Sequence, residues 1–196
     1  DKLKQIVAFI NAKPNESGII YCLSRKNTED ISAYLNAHGI DSKCYHAGMD
    51  SASRAKVQTD FINDTSKIIV ATIAFGMGID KSNVRWVIHS NLPKNLEGYY
   101  QEIGRAGRDG LPSETLLYFT LRDVVLYRKF AADSANAEMQ LDKLSRMLQF
   151  SQAKSCRRKI LLSYFGEFLT ENCNNCDACS NPSQNFDATI IAQKAL

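Results

Sequence analysis

The chain has 196 residues, of which 44% are hydrophobic and 23% are charged, and its formal net charge is +3. This composition excludes a wholly disordered chain, and the small net charge excludes a polycation that binds nucleic acid by bulk charge alone. No apolar run reaches the roughly 18 residues of a membrane-spanning helix, so we expect no membrane partner. The chain starts at Asp1, without an initiator Met or a signal peptide, which leads us to expect a piece of a longer protein.

Strand-like and helix-like segments alternate over residues 1–120. We predict helices over residues 1–12, 27–38, 51–63 and 96–105, and strands over residues 18–22, 41–45, 67–71, 84–89 and 115–119. Asn27 is a candidate N-cap of the second helix, and Gly39 is a candidate stop. Because the strands are continuous apolar runs that alternate with helices, the pattern predicts an α/β domain whose parallel sheet is covered by helices on both faces.

After residue 120 the pattern changes, and helix follows helix. We predict helices over residues 121–132, 137–150 and 152–164, followed by a loop rich in cysteine. We therefore assign residues 121–185 to a small helical domain. Residues 186–196 resume a helical pattern, and we expect a further domain to begin there.

Four of the six cysteines form a pattern that is typical of a metal site. They are spaced C-x16-C-x2-C-x2-C, at Cys156, Cys173, Cys176 and Cys179. Gaps of two residues allow neighbouring thiolates to bind one tetrahedral ion, so we predict a structural Zn²⁺ site with four protein ligands and no open position for catalysis. We expect Cys156 to be a ligand within a helix, and the other three to lie in the loop.

Two other interpretations of these cysteines are disulfide bridges and a thioredoxin-like redox pair. Nothing indicates secretion, and a redox Cys-x-x-Cys pair would follow a strand and open a helix. Cys22 and Cys44 lie in short apolar runs, so we expect both to be small buried hydrophobic residues.

Polar side chains follow three of the predicted strands. Ser24 and Arg25 follow the first strand, His46 follows the second, and Thr72 follows the third, ahead of a glycine-rich segment over residues 75–81. Each residue alone has a plain structural explanation, such as a turn cap. In a parallel α/β sheet, however, ligands bind beyond the carboxyl ends of the strands. The agreement of three strand ends predicts a phosphate-binding edge.

The strongest local signal is the segment over residues 101–110. Gln101, Arg105 and Arg108 lie at positions i, i+4 and i+7, which on a helix would place all three on one face. The neighbouring glycines have no side chains, so a ligand can approach this surface closely. Two guanidinium groups there are suited to binding a triphosphate. A solvated charged helix is the alternative, but it rarely contains three glycines in seven residues.

The sequence lacks the other half of such a nucleotide site. It contains no G-x-x-x-x-G-K-[ST] phosphate-binding loop, since the nearest match over residues 76–82 has Asp80 where the second glycine is needed. It also contains no Asp-Glu dipeptide that could serve as an acidic magnesium motif. Arginines without a phosphate cradle indicate one half of a two-part site.

These segments resemble the motifs of RecQ-type DNA helicases. Residues 70–81 resemble motif V, residues 100–110 motif VI, residues 21–25 motif IV and residues 45–49 motif IVa. Residues 156–167, together with the three loop cysteines, resemble the RecQ zinc-binding domain. The resemblance covers nearly the whole chain, and Ile103 is a departure from motif VI, where a small or hydroxyl residue is expected.

The resemblance implies a fold and a domain arrangement. Residues 1–120 would be the second RecA-like motor domain, residues 121–185 the zinc-binding domain, and residues 186–196 the start of a winged-helix domain. The first motor domain, with its phosphate loop and acidic box, would lie upstream. This chain alone would then be unable to hydrolyse ATP.

It also implies residue roles and partners. ATP and Mg²⁺ would bind between the two motor domains of the full-length protein, and this chain would face the nucleotide with Gly78, Asp80, Gln101, Arg105 and Arg108. Arg105 and Arg108 would be the catalytic arginine fingers. Backbone phosphates of single-stranded DNA would be bound by Ser24, Arg25, His46 and Thr72, with partially duplex DNA as the substrate and movement from 3′ to 5′. The expected location is a reducing intracellular compartment, which is the cytoplasm with its nucleoid in a bacterium or the nucleus in a eukaryote.

Two competing functions remain open at this stage. One is a helicase of the same superfamily that acts on RNA, which the four cysteines disfavour. The other is a non-catalytic zinc module that binds DNA or protein. Paired arginines on a nucleotide-facing surface argue against the second, because a pure binding module has no need of them.

Overall fold

A computed structural model of the chain describes residues 1–76, 79–132 and 134–182. In these residues one sheet contains strands β1 (Ser17–Tyr21), β2 (Lys43–Tyr45), β3 (Ile68–Ala71), β4 (Val84–His89) and β5 (Glu114–Leu117). The strand order is β2-β3-β1-β4-β5, and each neighbouring pair is parallel. The helices are α1 (Lys2–Asn11), α2 (Arg25–Ala37), α3 (Ser51–Ile62), α4 (Leu96–Ile103), α5 (Leu121–Ala132), α6 (Ala137–Gln152), α7 (Arg157–Tyr164) and α8 (Asp177–Ser180). None of the helices within the described ranges is both long and apolar enough to span a membrane.

The sheet has a hydrophobic core on each face, as its continuous apolar strands predict. On one face, side chains of β1 and β4 such as Ile20 and Trp86 pack with Ile6 of α1 and Leu35 of α2. On the other face, alternate residues of the same strands pack with Phe61 of α3. Successive strand side chains point to opposite faces, so a strand buried on both sides has no polar alternation. The predicted fold class, an α/β sheet with helices on both faces, is confirmed.

Gly18 of β1 leaves room for the ring of Trp86, its neighbour on β4. A Cβ atom on Gly18 would come within 2.1 Å of the Trp86 ring, so only glycine fits beside it. Trp86 is fully buried, and its ring meets Phe9 of α1 edge to face, with centroids 5.9 Å apart. This contact helps to fix α1 on the sheet.

The start of α2 differs from the prediction. Ser24, rather than Asn27, is the N-cap, because its backbone is extended and its Oγ accepts a hydrogen bond from the Asn27 N–H at 3.1 Å. The N-cap, and with it the helix start, lies three residues earlier as a result. Gly39 lies just past its end with φ +78°, in the left-handed region that suits a glycine stop, as predicted.

The segment over residues 152–164 is not one helix, which corrects a second prediction. The chain leaves the helix after Gln152, and α7 begins at Arg157 with Cys156 as its N-cap, so Cys156 is not a ligand within a helix. The Arg157 guanidinium donates to the Phe150 carbonyl at 2.6 Å and to the Ser151 carbonyl at 3.3 Å. These bonds satisfy carbonyls in the last turn of α6, so the break costs little.

The chain divides into two compact units, Asp1–Met147 and a unit that begins at Leu148. The first unit includes α5, whose buried Asp123 carboxylate accepts hydrogen bonds from Asn91 Nδ2 at 3.0 Å and from the Leu92 N–H at 3.3 Å. The domain boundary between residues 120 and 121 stays a prediction. The predicted start of a further domain at residues 186–196 lies outside the described residues.

Candidate functional site

The carboxyl ends of β1, β2 and β3 lie side by side, as the sequence predicts for a phosphate-binding edge. The Cys22 N–H donates to the Ala71 carbonyl at 2.8 Å, and the Thr72 N–H donates to the Tyr45 carbonyl at 3.1 Å. These bonds continue the ladder past the strand ends. The turns that carry Ser24, His46 and Thr72 are therefore neighbours at one edge of the sheet.

The turns after β1 and β2 touch each other. A Cβ atom on Gly48 would come within 2.8 Å of Arg25 Nη1, so the exposed Arg25 side chain lies directly against this glycine. His46 is buried, and both ring nitrogens are engaged. Nε2 donates to a Glu29 carboxylate oxygen at 3.0 Å, and Nδ1 accepts from the Gly48 N–H at 3.2 Å. His46 thus fixes the turn on which Arg25 rests.

The turn after β3 lies against Arg105. Phe75 is fully buried, its carbonyl accepts a hydrogen bond from the Tyr21 hydroxyl at 2.9 Å, and the next residue is Gly76. A Cβ atom on Gly76 would lie 3.4 Å from Arg105 Nη2. Asp80 is exposed. Gly78, a predicted nucleotide-facing residue, lies outside the described residues.

Lys81, which completes the imperfect phosphate-loop match, is not available to a phosphate. Its side chain is only 2% exposed, and Nζ lies 2.8 Å from the Asp64 carboxylate and over the Phe61 ring, 5.1 Å from its centroid. Because its charge is paired inside the fold, this lysine has a structural role.

The motif VI residues do not share one helical face, which corrects the sequence-based expectation. Helix α4 ends at Ile103, and the chain continues in turns through Asp109. Gly107 adopts φ +68°, and its N–H donates to the Val84 carbonyl at 2.9 Å. A Cβ atom there would lie 2.7 Å from Ser113 Oγ. The glycines therefore end the helix, and Gln101 and the two arginines project from different local structures.

Arg105 and Arg108 have no carboxylate partner in the part of the chain that the structure describes. Arg108 is exposed and donates to the carbonyls of Gly104 at 3.1 Å and Ile79 at 3.3 Å. Arg85, by contrast, forms a two-pronged ion pair with Asp109 at 2.6 and 2.7 Å. Two guanidinium groups that no carboxylate neutralises, one of them held by carbonyl oxygens, are suited to an anionic ligand.

Tyr21 connects the arginines to the sheet. Burial raises its pKa, the Glu102 charge raises it further, and Arg105 opposes this rise. The hydroxyl therefore stays protonated and continues to donate to the Phe75 carbonyl. The ring stacks on His89 at the end of β4, with centroids 5.4 Å apart.

The four predicted cysteine ligands meet in the second unit. The Sγ atoms of Cys156, Cys173, Cys176 and Cys179 all lie within 4.8 Å of one another. The Sγ of Cys179 is 3.9 Å from that of Cys173 and 3.4 Å from that of Cys176. A tetrahedron of sulfurs with Zn–S bonds of roughly 2.3 Å has edges of about 3.8 Å, so this cluster fits a four-sulfur zinc site.

The thiols of this cluster differ in acidity. Burial raises the pKa of Cys156, but N–H donors of Cys173 and Lys159 outweigh it and lower this pKa to about 6. Desolvation and the neighbouring sulfurs, first that of Cys176, raise the pKa of Cys179 to about 11. Since adjacent thiolates repel one another, all four ionise together only beside a cation.

Arg157 braces the same cluster. Its guanidinium forms two hydrogen bonds of 2.9 Å with the two Asp177 carboxylate oxygens, and its backbone N–H donates to Cys176 Sγ at 3.4 Å. Because Asp177 lies directly after Cys176, this ion pair orients a ligand-bearing turn.

Comparison with known proteins decides the family. The helicase conserved C-terminal domain family matches residues 1–110, and the RecQ zinc-binding family matches residues 121–180. The chain belongs to the RecQ helicase family. The matched RecQ zinc-binding region contains all four clustered cysteines, which supports the zinc prediction.

Curated helicases match along almost the whole chain. The ATP-dependent DNA helicase RecQ of Haemophilus influenzae is 44% identical over 197 residues, covering 99% of this chain and 32% of that protein. The RecQ of Bacillus subtilis is 38% identical and covers 100% and 34%. A putative ATP-dependent RNA helicase of Acanthamoeba polyphaga mimivirus is 47% identical and covers 96% and 35%. The chain thus spans about a third of the length of these relatives.

Solved helicase structures share the fold of the sheet. The Escherichia coli DEAD-box protein SrmB, bound to the regulator of ribonuclease activity A, aligns with a TM-score of 0.55 at 22% identity, over 74% of this chain and 77% of that chain. The Mycobacterium smegmatis helicase Lhr, bound to single-stranded DNA and AMP-PNP, aligns with a TM-score of 0.53 at 24% identity, over 69% and 19%. These alignments confirm a RecA-like helicase fold.

Sequence reasoning missed several polar residues of this RecQ chain. His89 and Glu102 form a buried pair beside the arginines, and Asp123 connects α5 to the loop after β4. The sequence offers one sign of such a site, which is the polar residue His89 at the end of an apolar strand. No spacing rule identifies its partner.

Proposed function

We propose that this chain is the C-terminal motor half of an ATP-dependent DNA helicase that moves from 3′ to 5′. The observation that carries the proposal is the pair Arg105 and Arg108. Both lie against the segment that follows β3 of a RecA-like sheet, and neither has a carboxylate partner among the described residues. The sequence contains no phosphate-binding loop of its own. Such arginines serve a nucleotide bound by another domain.

The nucleotide would be ATP with Mg²⁺, bound by the first motor domain of the full-length protein. Arg108 is the better candidate for the γ-phosphate because it is exposed and is oriented by two carbonyls. Arg105, half-buried beside Gly76, would contact the same phosphates from a more rigid position. Gln101 is also exposed, and Gly78 and Asp80 would couple nucleotide state to DNA contacts.

The DNA contact would run along the ends of β1, β2 and β3. The exposed Arg25 side chain, the Ser24 cap of α2 and Thr72 offer positive charge, a hydroxyl and N–H groups to backbone phosphates. His46 would act by fixing the Gly48 turn, since both its ring nitrogens are already bonded. Binding of single-stranded or partially duplex DNA should be independent of sequence and sensitive to salt.

The zinc ion would be structural. Four protein ligands leave no open position, so the ion would stabilise the turn around Cys176 and perform no chemistry. Cysteines must be reduced to bind it, and we therefore place the protein in a reducing intracellular compartment, which is the cytoplasm of a bacterium or the nucleus of a eukaryote.

ATP hydrolysis with and without single-stranded DNA tests this function, first on the isolated chain and then on the full-length protein. We expect no turnover by the chain alone and DNA-stimulated turnover by the full-length protein. Turnover by the chain alone would contradict the two-part site. Absence of DNA stimulation in the full-length protein would contradict the helicase assignment.

RNA is a second candidate substrate, because the mimivirus relative is described as a putative RNA helicase at 47% identity. Comparing stimulation of ATP hydrolysis by DNA and RNA strands of equal length decides between the two. We expect DNA to be the stronger activator.

A further inference from the structure

A buried polar cluster lies where β1, β4 and α4 meet, next to the arginines. His89 Nε2 donates a hydrogen bond of 2.6 Å to a carboxylate oxygen of Glu102, and the two side chains are 2% and 14% exposed. The His89 ring stacks on Tyr21, with centroids 5.4 Å apart, and makes a tilted contact with Tyr99, with centroids 5.1 Å apart. We call His89 and Glu102 the α4 clamp.

Glu102 is the only polar anchor of the histidine among the described residues. His89 Nδ1 is buried and has no hydrogen-bond partner there, and the neighbouring rings of Tyr21 and Tyr99 make aromatic contacts only. A buried imidazole with one bonded nitrogen depends strongly on that single bond for its orientation. The carboxylate in turn is fixed one residue before the end of α4.

The α4 clamp adjoins the two segments that carry the proposed nucleotide contacts. Tyr21, stacked on His89, donates to the Phe75 carbonyl, and Phe75 precedes the Gly76 against which Arg105 rests. Arg105 Nε is buried without a hydrogen-bond partner in the described part of the chain. Arg105 is therefore placed by packing and by the backbone that leaves α4, rather than by an ion pair of its own.

We propose that His89 and Glu102 are positioning residues for ATP hydrolysis, whose hydrogen bond fixes the end of α4 on the sheet and thereby aims Arg105 at the nucleotide. The proposal rests on the proposed function of Arg105. Neither clamp residue contacts the nucleotide in this scheme. Loss of the clamp should lower kcat more than it changes ATP or DNA binding, because an error of about 1 Å in a catalytic group can cost up to about a hundredfold in rate.

Three substitutions of Glu102 in the full-length protein test the proposal. We expect Glu102→Ala to lower kcat of DNA-stimulated ATP hydrolysis about tenfold, with the KM for ATP and DNA affinity within about threefold of the parent. Glu102→Asp keeps the charge but shortens the side chain, so it should lose activity similarly. Glu102→Gln keeps an acceptor oxygen at the same reach, so it should restore kcat to within about threefold.

Controls separate positioning from general destabilisation. Glu97→Gln changes a carboxylate on the same helix that pairs with Lys143 instead, and it should leave kcat within about twofold of the parent. Melting temperatures of all variants identify any that fail to fold. If Glu102→Ala does not fold, the contrast between Glu102→Asp and Glu102→Gln decides the test.

A double variant shows whether Glu102 acts through Arg105. If it does, Arg105→Ala with Glu102→Ala should be no slower than Arg105→Ala alone. If the kcat losses of the two single variants add in the double variant, the clamp proposal is wrong and the proposed function stands. The same holds if Glu102→Ala has the parental kcat while Arg105→Ala is inactive. Parental turnover in Arg105→Ala would overturn the clamp and also remove Arg105 from the proposed function.

Discussion

The sheet unit and the cysteine unit are stabilised in different ways. The unit over Asp1–Met147 contains two clusters of buried apolar side chains, one on each face of the sheet. In the described residues from Leu148 onward, the buried hydrophobic side chains are Phe150, Cys156 and Leu161. A segment with so small a core requires another source of stability, and the four clustered sulfurs offer one.

The two units also differ in how their arginine side chains are paired. In the cysteine unit, Arg157 pairs with Asp177 and donates hydrogen bonds to two carbonyls. Its guanidinium therefore has a structural role. In the sheet unit, Arg105 and Arg108 have no such carboxylate among the described residues. The comparison predicts that substituting a cysteine ligand unfolds the cysteine unit. Substituting Arg105 or Arg108 should instead lower the rate of ATP hydrolysis and leave the fold intact.

Loss of the metal should have the largest effect. Structural zinc sites contribute on the order of 10 kcal/mol to small metal-dependent folds. We therefore expect Cys176→Ser to give zinc-depleted, poorly soluble protein in which protease cleaves the chain between residues 148 and 182, while the sheet unit resists. Zinc content by mass spectrometry and timed proteolysis measure both effects.

The matched control is Cys44→Ser, a half-buried cysteine of β2 outside the cluster. It should retain zinc and parental protease resistance. A Cys176→Ser protein that is as soluble and resistant as this control would show that the cysteine unit does not depend on metal.

Substitution of the exposed arginine should have the next largest effect. An arginine that stabilises phosphoryl transfer contributes about 10³–10⁵ in rate, so we expect Arg108→Ala in the full-length protein to lower ATP turnover at least roughly a hundredfold. Binding of single-stranded DNA and the melting temperature should stay near parental values. Steady-state hydrolysis, DNA binding and calorimetry measure these three quantities.

Arg85→Ala is the control, because this arginine is paired with Asp109. It should leave turnover nearly unchanged. Near-parental hydrolysis by Arg108→Ala would refute its assignment as a finger and would reduce the difference between the two units to one of stability alone.

Much of this arrangement is predictable from sequence. The strands are found within about two residues because each is an apolar run between turn formers, and the cysteine ligands are found by their spacing. The turn at Gly107 is missed because it depends on a hydrogen bond to Val84. A helical wheel contains no information on such a tertiary contact.

The polar pairs are missed for a related reason. His89 and Glu102 are 13 residues apart, and Asn91 and Asp123 are 32 apart, so no local period relates them. Their pairing depends on the tertiary fold, which brings the end of β4 next to α4 and the loop after β4 next to α5. Long-range polar contacts thus require the fold to be known first.

Removing the brace of the cysteine unit should have a smaller effect than removing a ligand. Second-layer partners of metal ligands typically contribute about 10–100-fold in metal affinity. We expect Asp177→Ala to weaken zinc binding about tenfold, measured by competition with a chromogenic chelator, without unfolding the zinc-loaded protein. Asp142→Ala, which breaks an exposed pair with Arg146 on α6, is the control and should leave zinc affinity unchanged. Equal affinities of the two variants would contradict the role of the Arg157–Asp177 pair.

The smallest predicted effect concerns the stability of the sheet unit in acid. The hydrogen bond from buried Lys81 holds the pKa of Asp64 below its ordinary value of 3.8. The ionised Asp64 carboxylate therefore stabilises the fold fully above about pH 4. This stabilisation is lost as the pH falls through the lower pKa that Asp64 has in the folded state. Asp64→Ala leaves the buried lysine without this partner. Because Asp64 is 46% exposed, the loss should be smaller than for a fully buried pair, and we expect the free energy of unfolding to fall by about 1–2 kcal/mol.

Denaturant unfolding of the parent and of Asp64→Ala at pH 7 and pH 3 measures this effect. The difference between the two proteins should be smaller at pH 3 than at pH 7, because pH 3 lies below the ordinary carboxyl pKa of 3.8 and the unfolded parent then binds a proton at this side chain. Asp41→Ala breaks an exposed pair with Lys43 and should cost less than about 0.5 kcal/mol at either pH. If Asp64→Ala behaves like Asp41→Ala at pH 7, the pair of Lys81 and Asp64 does not stabilise the sheet unit.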